Sequence, residues 1–132
     1  MTEERQDITD SFYAGNDKTI RVTIRDGEGN LKDLSGSEIT YVIFDRISEV
    51  VVLRKSSFNG DSEIKVTGTG LCEIYLLAPD TTYLYGTFRH QLNVVDSYGK
   101  ESTVLTGKVE IHKAPGKRYR IVSTPAYLQG TA

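Results

Sequence analysis

Apolar and polar residues alternate along most of this chain, which is the pattern of β-strands that bury one face. Residues 18–25 show it most clearly, because isoleucine and valine occupy every second position and charged or hydroxyl residues lie between them. Residues 88–94 and 105–111 repeat the alternation on either side of a turn at residues 96–99. The sequence therefore predicts a long terminal β-hairpin and several strands with one solvent-exposed face.

Two other runs are apolar at consecutive positions, so both faces of their strands need cover. These runs are residues 39–44 and 50–53, which we predict to be central strands or strands that face a partner. Residues 63–66 and 71–77 also read as strands, and the glycines of residues 67–70 predict a hairpin turn between them.

Helical periodicity is almost absent, apart from a single helical turn predicted within residues 80–86. About seven principal strands can be counted, together with a possible short strand at residues 8–13. This number of short strands predicts an all-β protein, an immunoglobulin-like antiparallel β-sandwich of two sheets over residues 17–116. Residues 1–16 are expected to form an edge strand or arm, and residues 117–132 an extended C-terminal arm.

Composition narrows the class of protein further. A chain of 132 residues with 38% hydrophobic and 26% charged residues suits one globular domain. It contains no run of about 20 apolar residues and no secretory signal pattern, so we expect synthesis in the cytoplasm and no membrane partner. The net charge of −2 argues against nucleic-acid binding.

Candidate chemistry is sparse. Cys72 stands in an apolar run, which predicts a buried and inert thiol. His90 and His112 lie on the two strands of the terminal hairpin and are expected to be neighbours, but no further ligands accompany them. Residues 26–30 place oxygen ligands at alternate positions, yet they lack the length of a calcium loop and favour a turn. We predict no catalytic site, no metal and no cofactor.

Tyrosine is the residue type that most favours binding here, since the chain has eight Tyr and no Trp. Tyrosine combines apolar area with a polar tip. The tyrosines expected at or near the surface are Tyr75, Tyr83, Tyr85, Tyr98, Tyr119 and Tyr127.

The C-terminal segment is basic as well as aromatic, because residues 113–120 hold four basic residues and no acid. Such a segment is expected either to dock on a neighbouring subunit or, through residues 118–122, to add a strand to its own sheet. The predicted partner contacts are Arg118, Tyr119, Arg120, Ile121, Tyr127 and Leu128, followed by Ile8, Phe12 and Tyr13 near the N-terminus.

Several ordered segments resemble one known family. Residues 16–26 (NDKTIRVTIRD) lead a strand into a glycine-rich turn, and residues 32–39 (KDLSGSEI) step into an apolar strand. Residues 77–81 (LAPDT) and 86–88 (GTF) form a proline turn and a strand start, and residues 94–111 form the terminal hairpin. Together, over about three-quarters of the chain, these segments resemble the N-terminal domain of bacteriophage baseplate upper proteins.

The resemblance implies a virion structural protein that acts in many copies. We expect an adaptor in the baseplate, tail or neck of the particle, with other phage structural proteins and further copies of itself as partners. The sequence departs from the family pattern because a short arm follows the domain, so we expect that this chain is not itself the fibre, and because the basic, tyrosine-containing tail has no counterpart. A capsid decoration protein and a host-surface carbohydrate-binding adhesin are the alternatives, and an enzyme is the last choice.

Overall fold

The computed structural model describes residues 6–7 and 9–113, which fold into two facing β-sheets. The strands are β1 (Gln6–Asp7), β2 (Asp10–Tyr13), β3 (Lys18–Thr23), β4 (Glu38–Asp45), β5 (Val51–Ser56), β6 (Ile64–Gly68), β7 (Leu71–Leu76), β8 (Gly86–Val95) and β9 (Glu101–His112). A short 3₁₀ helix (Ser57–Asn59) follows β5, and the one-turn helix α1 (Ala78–Thr81) follows β7.

The larger sheet, sheet A, has the order β1–β9–β8–β4–β5, with β2 also paired to β9. Sheet B has the order β3–β7–β6. The two N-terminal strands run parallel to β9, and all other pairs are antiparallel. This strand order defines the class of protein as an immunoglobulin-like β-sandwich, which confirms the predicted fold.

The core lies between the sheets and follows the alternation of the sequence. On β3, Ile20 and Val22 are buried whereas Arg21 between them is exposed. On β8, Leu92 and Val94 point inward from the opposite sheet. Burying each such aliphatic side chain contributes about 1.5–3 kcal/mol, so the two inner faces together hold the sandwich closed.

Turns fall where the glycines predicted them. Gly70, in the β6–β7 hairpin, has φ 71°, and an added Cβ would lie 2.7 Å from the Ile24 carbonyl oxygen. The Ile24 N–H donates to the Gly70 carbonyl at 2.7 Å, so this turn also fixes the end of β3. In the turn at residues 26–30, Asp26 Oδ1 accepts backbone N–H groups from Glu28 and Asn30, which confirms a turn.

The two consecutive apolar runs occupy different positions in sheet A. Residues 39–44 lie in β4, which is central, between β8 and β5. Residues 50–53 enter β5, which is an edge strand, and Val50 and Val51 are 60% and 50% exposed. The prediction that residues 50–53 form a central strand is therefore wrong. Val52 is an extra residue in the pairing with β4, and a bulge of this kind hinders further strand addition at the edge.

An ion pair between a buried lysine and a half-buried aspartate joins β5 to α1. Lys55 on β5 and Asp80 on α1 approach to 2.7 Å, and their side chains are only 8% and 22% exposed. The same Asp80 oxygen accepts the Leu77 N–H at 2.7 Å, so it also holds the start of the helix. The pair links an edge of sheet A to the connection between the two sheets.

A hydrogen-bonded polar pair lies in the centre of the core. Tyr41 on β4 and His90 on β8 are both fully buried, and the tyrosine oxygen lies 2.9 Å from His90 Nδ1. Their rings meet edge to face, with centroids 5.6 Å apart. Burial raises the pKa of Tyr41 far above its ordinary value, with a smaller effect from the charge of Asp10, so the phenol stays neutral.

Replacing Tyr41 by Phe tests this pair. The substitution keeps the ring but removes the oxygen that bonds His90, and losing a buried partner costs about 1–3 kcal/mol. We expect Tyr41→Phe to lower the free energy of unfolding by that amount in urea denaturation. The control is Tyr98→Phe, since Tyr98 is 94% exposed and its hydroxyl should matter by less than about 0.5 kcal/mol. Equal stability of the two variants would contradict a stabilising role for the pair.

Candidate interaction surface

A cluster of exposed aromatic residues surrounds the point where β9 ends. Tyr13, the last residue of β2, pairs with His112, and Gly86 at the start of β8 pairs with Ile111. Tyr85 immediately precedes β8 and therefore lies beside the end of β9. We call the group formed by Ser11, Tyr13, Tyr85, His112 and Lys113 the exit corner, because the chain continues from here toward its C-terminus.

Contacts within the exit corner hold its rings in place. Ser11 Oγ lies 2.8 Å from His112 Nε2, and the Tyr13 ring lies 5.6 Å from the His112 ring. On the other side, Lys113 Nζ stands 5.4 Å from the centre of the Tyr85 ring, a cation–π distance. Tyr13 and Tyr85 nevertheless remain 54% and 44% exposed, so both rings can still contact another molecule.

Tyr13 and Phe12, two predicted contact residues that are adjacent in sequence, differ in burial. Tyr13 is exposed, as a partner contact requires, whereas Phe12 is only 8% exposed and belongs to the hydrophobic core. Successive side chains of a strand point to opposite faces, so these two cannot both face a partner. Phe12 is therefore corrected to a core residue. The other predicted contacts lie outside the described residues: Ile8, Arg118, Tyr119, Arg120, Ile121, Tyr127 and Leu128.

The surface tyrosines lie mostly where they were predicted. Tyr83 and Tyr98 are 77% and 94% exposed, on the loop before β8 and on the β8–β9 turn. Tyr75 is half-buried and donates a hydrogen bond to Glu73. The two remaining predicted surface tyrosines, Tyr119 and Tyr127, lie outside the described residues.

The two histidines are not neighbours, contrary to the prediction. His90 pairs with Gly107 in the middle of the β8–β9 hairpin, whereas His112 lies beyond the pair formed by Gly86 and Ile111. His90 is buried in the core and His112 is exposed at the exit corner. Placing both residues on adjacent strands was right, but the register between the strands separates them along the sheet.

Carboxylates in the turns accept hydrogen bonds from backbone N–H groups. Asp45 Oδ2 accepts the N–H groups of Ile47 and Ser48, and these bonds, together with the Ser48 hydroxyl, lower the pKa of Asp45. Asp96 Oδ1 accepts the backbone N–H groups of Tyr98 and Lys100 in the β8–β9 turn. Within residues 9–113 no three His, Cys, Asp or Glu side chains are grouped so that they could hold a metal ion.

Cys72 is 1% exposed, and its burial, followed by the charge of Glu73, raises the pKa of the thiol to about 12. A thiol with so high a pKa forms little thiolate near neutral pH, which confirms the predicted buried and inert cysteine. Among the described residues, no helix has the length and apolar character needed to cross a membrane.

No protein-family model matches the chain. No curated protein matches it either. Among solved structures, CopC from Methylosinus trichosporium OB3b is 16% identical with a TM-score of 0.41, covering 86% of this chain and 91% of its own. Murine CRIg is 10% identical with a TM-score of 0.38, covering 83% of this chain and 92% of its own. A non-cellulosomal cohesin from the hyperthermophilic archaeon Archaeoglobus fulgidus is 12% identical with a TM-score of 0.35, covering 92% and 98%.

The raised pKa of Cys72 fixes the sign of a stability change at alkaline pH. Above its ordinary pKa of 9.0 the thiol ionises in the unfolded chain but stays protonated in the folded one until the pH approaches about 12. Its contribution to the free energy of unfolding is thus complete below pH 9 and is lost as the pH rises. We expect Cys72→Ala to flatten the decline in unfolding free energy between pH 9 and pH 10, measured in urea at constant ionic strength. Identical slopes for the variant and the wild type would contradict the raised pKa.

Proposed function

We propose that this chain is a structural protein of a bacteriophage particle, an adaptor in the baseplate, tail or neck that binds neighbouring subunits and catalyses no reaction. The resemblance to phage baseplate domains supports it. The resembling segments occupy consecutive parts of one sandwich: residues 16–26 contain β3, residues 32–39 lead into β4, and residues 94–111 span the β8–β9 turn and most of β9.

The exit corner is the observation that carries the binding role. Tyr13 and Tyr85 expose rigid rings with polar tips, which are the side chains that most often anchor protein interfaces. Tyr85 lies against Lys113 and Tyr13 against His112, and the sequence after Lys113 contains the basic residues Lys117, Arg118 and Arg120. The exposed rings, and the basic sequence that follows Lys113, offer a neighbouring subunit two kinds of contact.

The particle itself provides the test. A C-terminal tag is labelled in purified particles of the phage that encodes the chain, viewed by electron microscopy, and combined with a mass-spectrometric copy count. Label at the tail or neck, in copy numbers that match a ring of the tail, is the expected result. Label spread over the head would replace the adaptor with a capsid decoration protein, and absence from the particle would overturn the virion role.

Substitutions at the exit corner test whether this surface makes the contact. Replacing Tyr13 and Tyr85 by Ser together removes both exposed rings, and losing interface anchors of this kind costs about 2 kcal/mol or more. We expect incorporation into particles to fall roughly thirtyfold in a competition with wild-type chain. Phe58→Ser is the matched control, because Phe58 is 68% exposed but lies on the 3₁₀ helix after β5. Incorporation of the double variant at the control level would exclude the exit corner as the contact.

A further inference from the structure

A groove lies on the outer face of sheet A, at the opposite end of β9 from the exit corner. Its volume is about 250 Å³. The residues that line it include Glu38, Val42, Arg54, Asn93, Val95 and Glu101. These residues come from four adjacent strands, β4, β5, β8 and β9, so the groove exists only in the folded sheet. They are distant in sequence, and no motif marks them.

Two carboxylates flank an apolar position in one cross-strand row. Val95 on β8 pairs with Glu38 on β4 and with Glu101 on β9. Because neighbouring strands are about 4.8 Å apart, the two glutamate positions are separated by about 10 Å across Val95. A long side chain with an apolar stem and a cationic tip fits this row, with its stem on the valine and its tip between the carboxylates.

Side-chain hydrogen bonds orient one wall of the groove. Asn93 Oδ1 accepts from Gln91 Nε2 at 3.0 Å and from Thr103 Oγ1 at 2.9 Å. With its oxygen thus occupied, the Asn93 amide turns its Nδ2 toward Glu101 Oε2, at 3.5 Å. The Glu101 carboxylate is therefore directed to the groove before any partner arrives.

The charge of the groove matches the C-terminal segment. Glu38 and Glu101 contribute two negative charges and Arg54 one positive charge, which leaves one net negative charge in the groove. Residues 117–120 (KRYR) contribute three positive charges around one tyrosine. Arginine is the side chain best suited to this row, because its planar guanidinium can bind carboxylates through several N–H donors.

Chain length decides which molecule can supply that segment. Lys113 lies 12 residue steps after Glu101, the first residue of β9, a distance of about 40 Å along the strand. The seven residue steps from Lys113 to Arg120 span at most about 25 Å when fully extended. Residues 117–120 therefore cannot reach the groove of their own molecule.

We propose that residues 117–120 of one copy bind the groove of a second copy, with Arg118 or Arg120 between Glu38 and Glu101. This inference rests on the proposed function and names one of its partners as another copy of the chain. The described chain ends at Lys113, at the opposite end of β9 from the groove, so each copy would donate its following segment to the next copy and accept one from the previous copy. A head-to-tail contact of this kind closes into a ring or continues as a filament, which suits a symmetric particle.

Two complementary variants of the full chain test the contact by sedimentation velocity. The groove variant is Glu38→Gln with Glu101→Gln, and the segment variant is Arg118→Gln with Arg120→Gln. We expect wild type to form species larger than a dimer as its concentration rises, and each variant to self-associate roughly tenfold more weakly. An equimolar mixture of the variants should form a dimer and nothing larger, because it contains one intact groove and one intact segment per pair.

The control is Glu28→Gln with Glu49→Gln, which removes the same charge from exposed turns and should assemble as wild type does. A monomeric wild type, a groove variant that assembles normally, or a mixture without dimers would each overturn the inference. The proposed function is judged separately. If the chain is incorporated in the tail but its groove variant is incorporated equally well, only the head-to-tail contact fails.

Discussion

The hydrogen bond between Tyr41 and His90 joins the two central strands of sheet A at a depth that water does not reach. Antibody domains place a tryptophan against an inter-sheet disulfide in their core. Here a tyrosine–histidine pair lies in the core, and the cysteine, Cys72, is a buried free thiol on β7. An unpaired buried polar group would be costly, so the pair fixes how β4 and β8 align. The same alignment places Val95 opposite Glu38 and so forms part of the groove.

The two ends of sheet A carry different side chains. Strand β9 begins beside the groove and ends at the exit corner, so its two ends carry different chemistry: carboxylates around Val95 at one end, and tyrosine rings with Lys113 at the other. The inner face of the sheet is occupied by the core and leaves the outer face and the strand ends for contacts. The bulge at Val52 makes the edge at β5 a poorer place for strand addition, despite its exposed valines.

Alternation in the sequence was enough to predict the sandwich, because burial on one face enforces a period of two and glycines mark the turns. Alternation could not show which apolar run lies at an edge of a sheet, since residues 50–53 are as apolar in the sequence as residues 39–44. The sequence also did not reveal the register between β8 and β9. For this reason His90 and His112 were predicted to be neighbours. Of the exit corner, the sequence predicted Tyr13 as a partner contact and Tyr85 as a surface tyrosine. The groove was not predicted, because strand pairing between distant segments assembles it.

We propose that both ends of sheet A are contact surfaces in an assembled particle. Oxidative footprinting of exposed side chains, read by mass spectrometry for the free chain and for intact particles, tests it directly. We expect Tyr13 and Tyr85 at one end, and Tyr98 on the β8–β9 turn at the other, to lose reactivity on assembly, while Phe58 after β5 keeps it. Unchanged reactivity of the three tyrosines in the particle would exclude both ends of sheet A as contact surfaces.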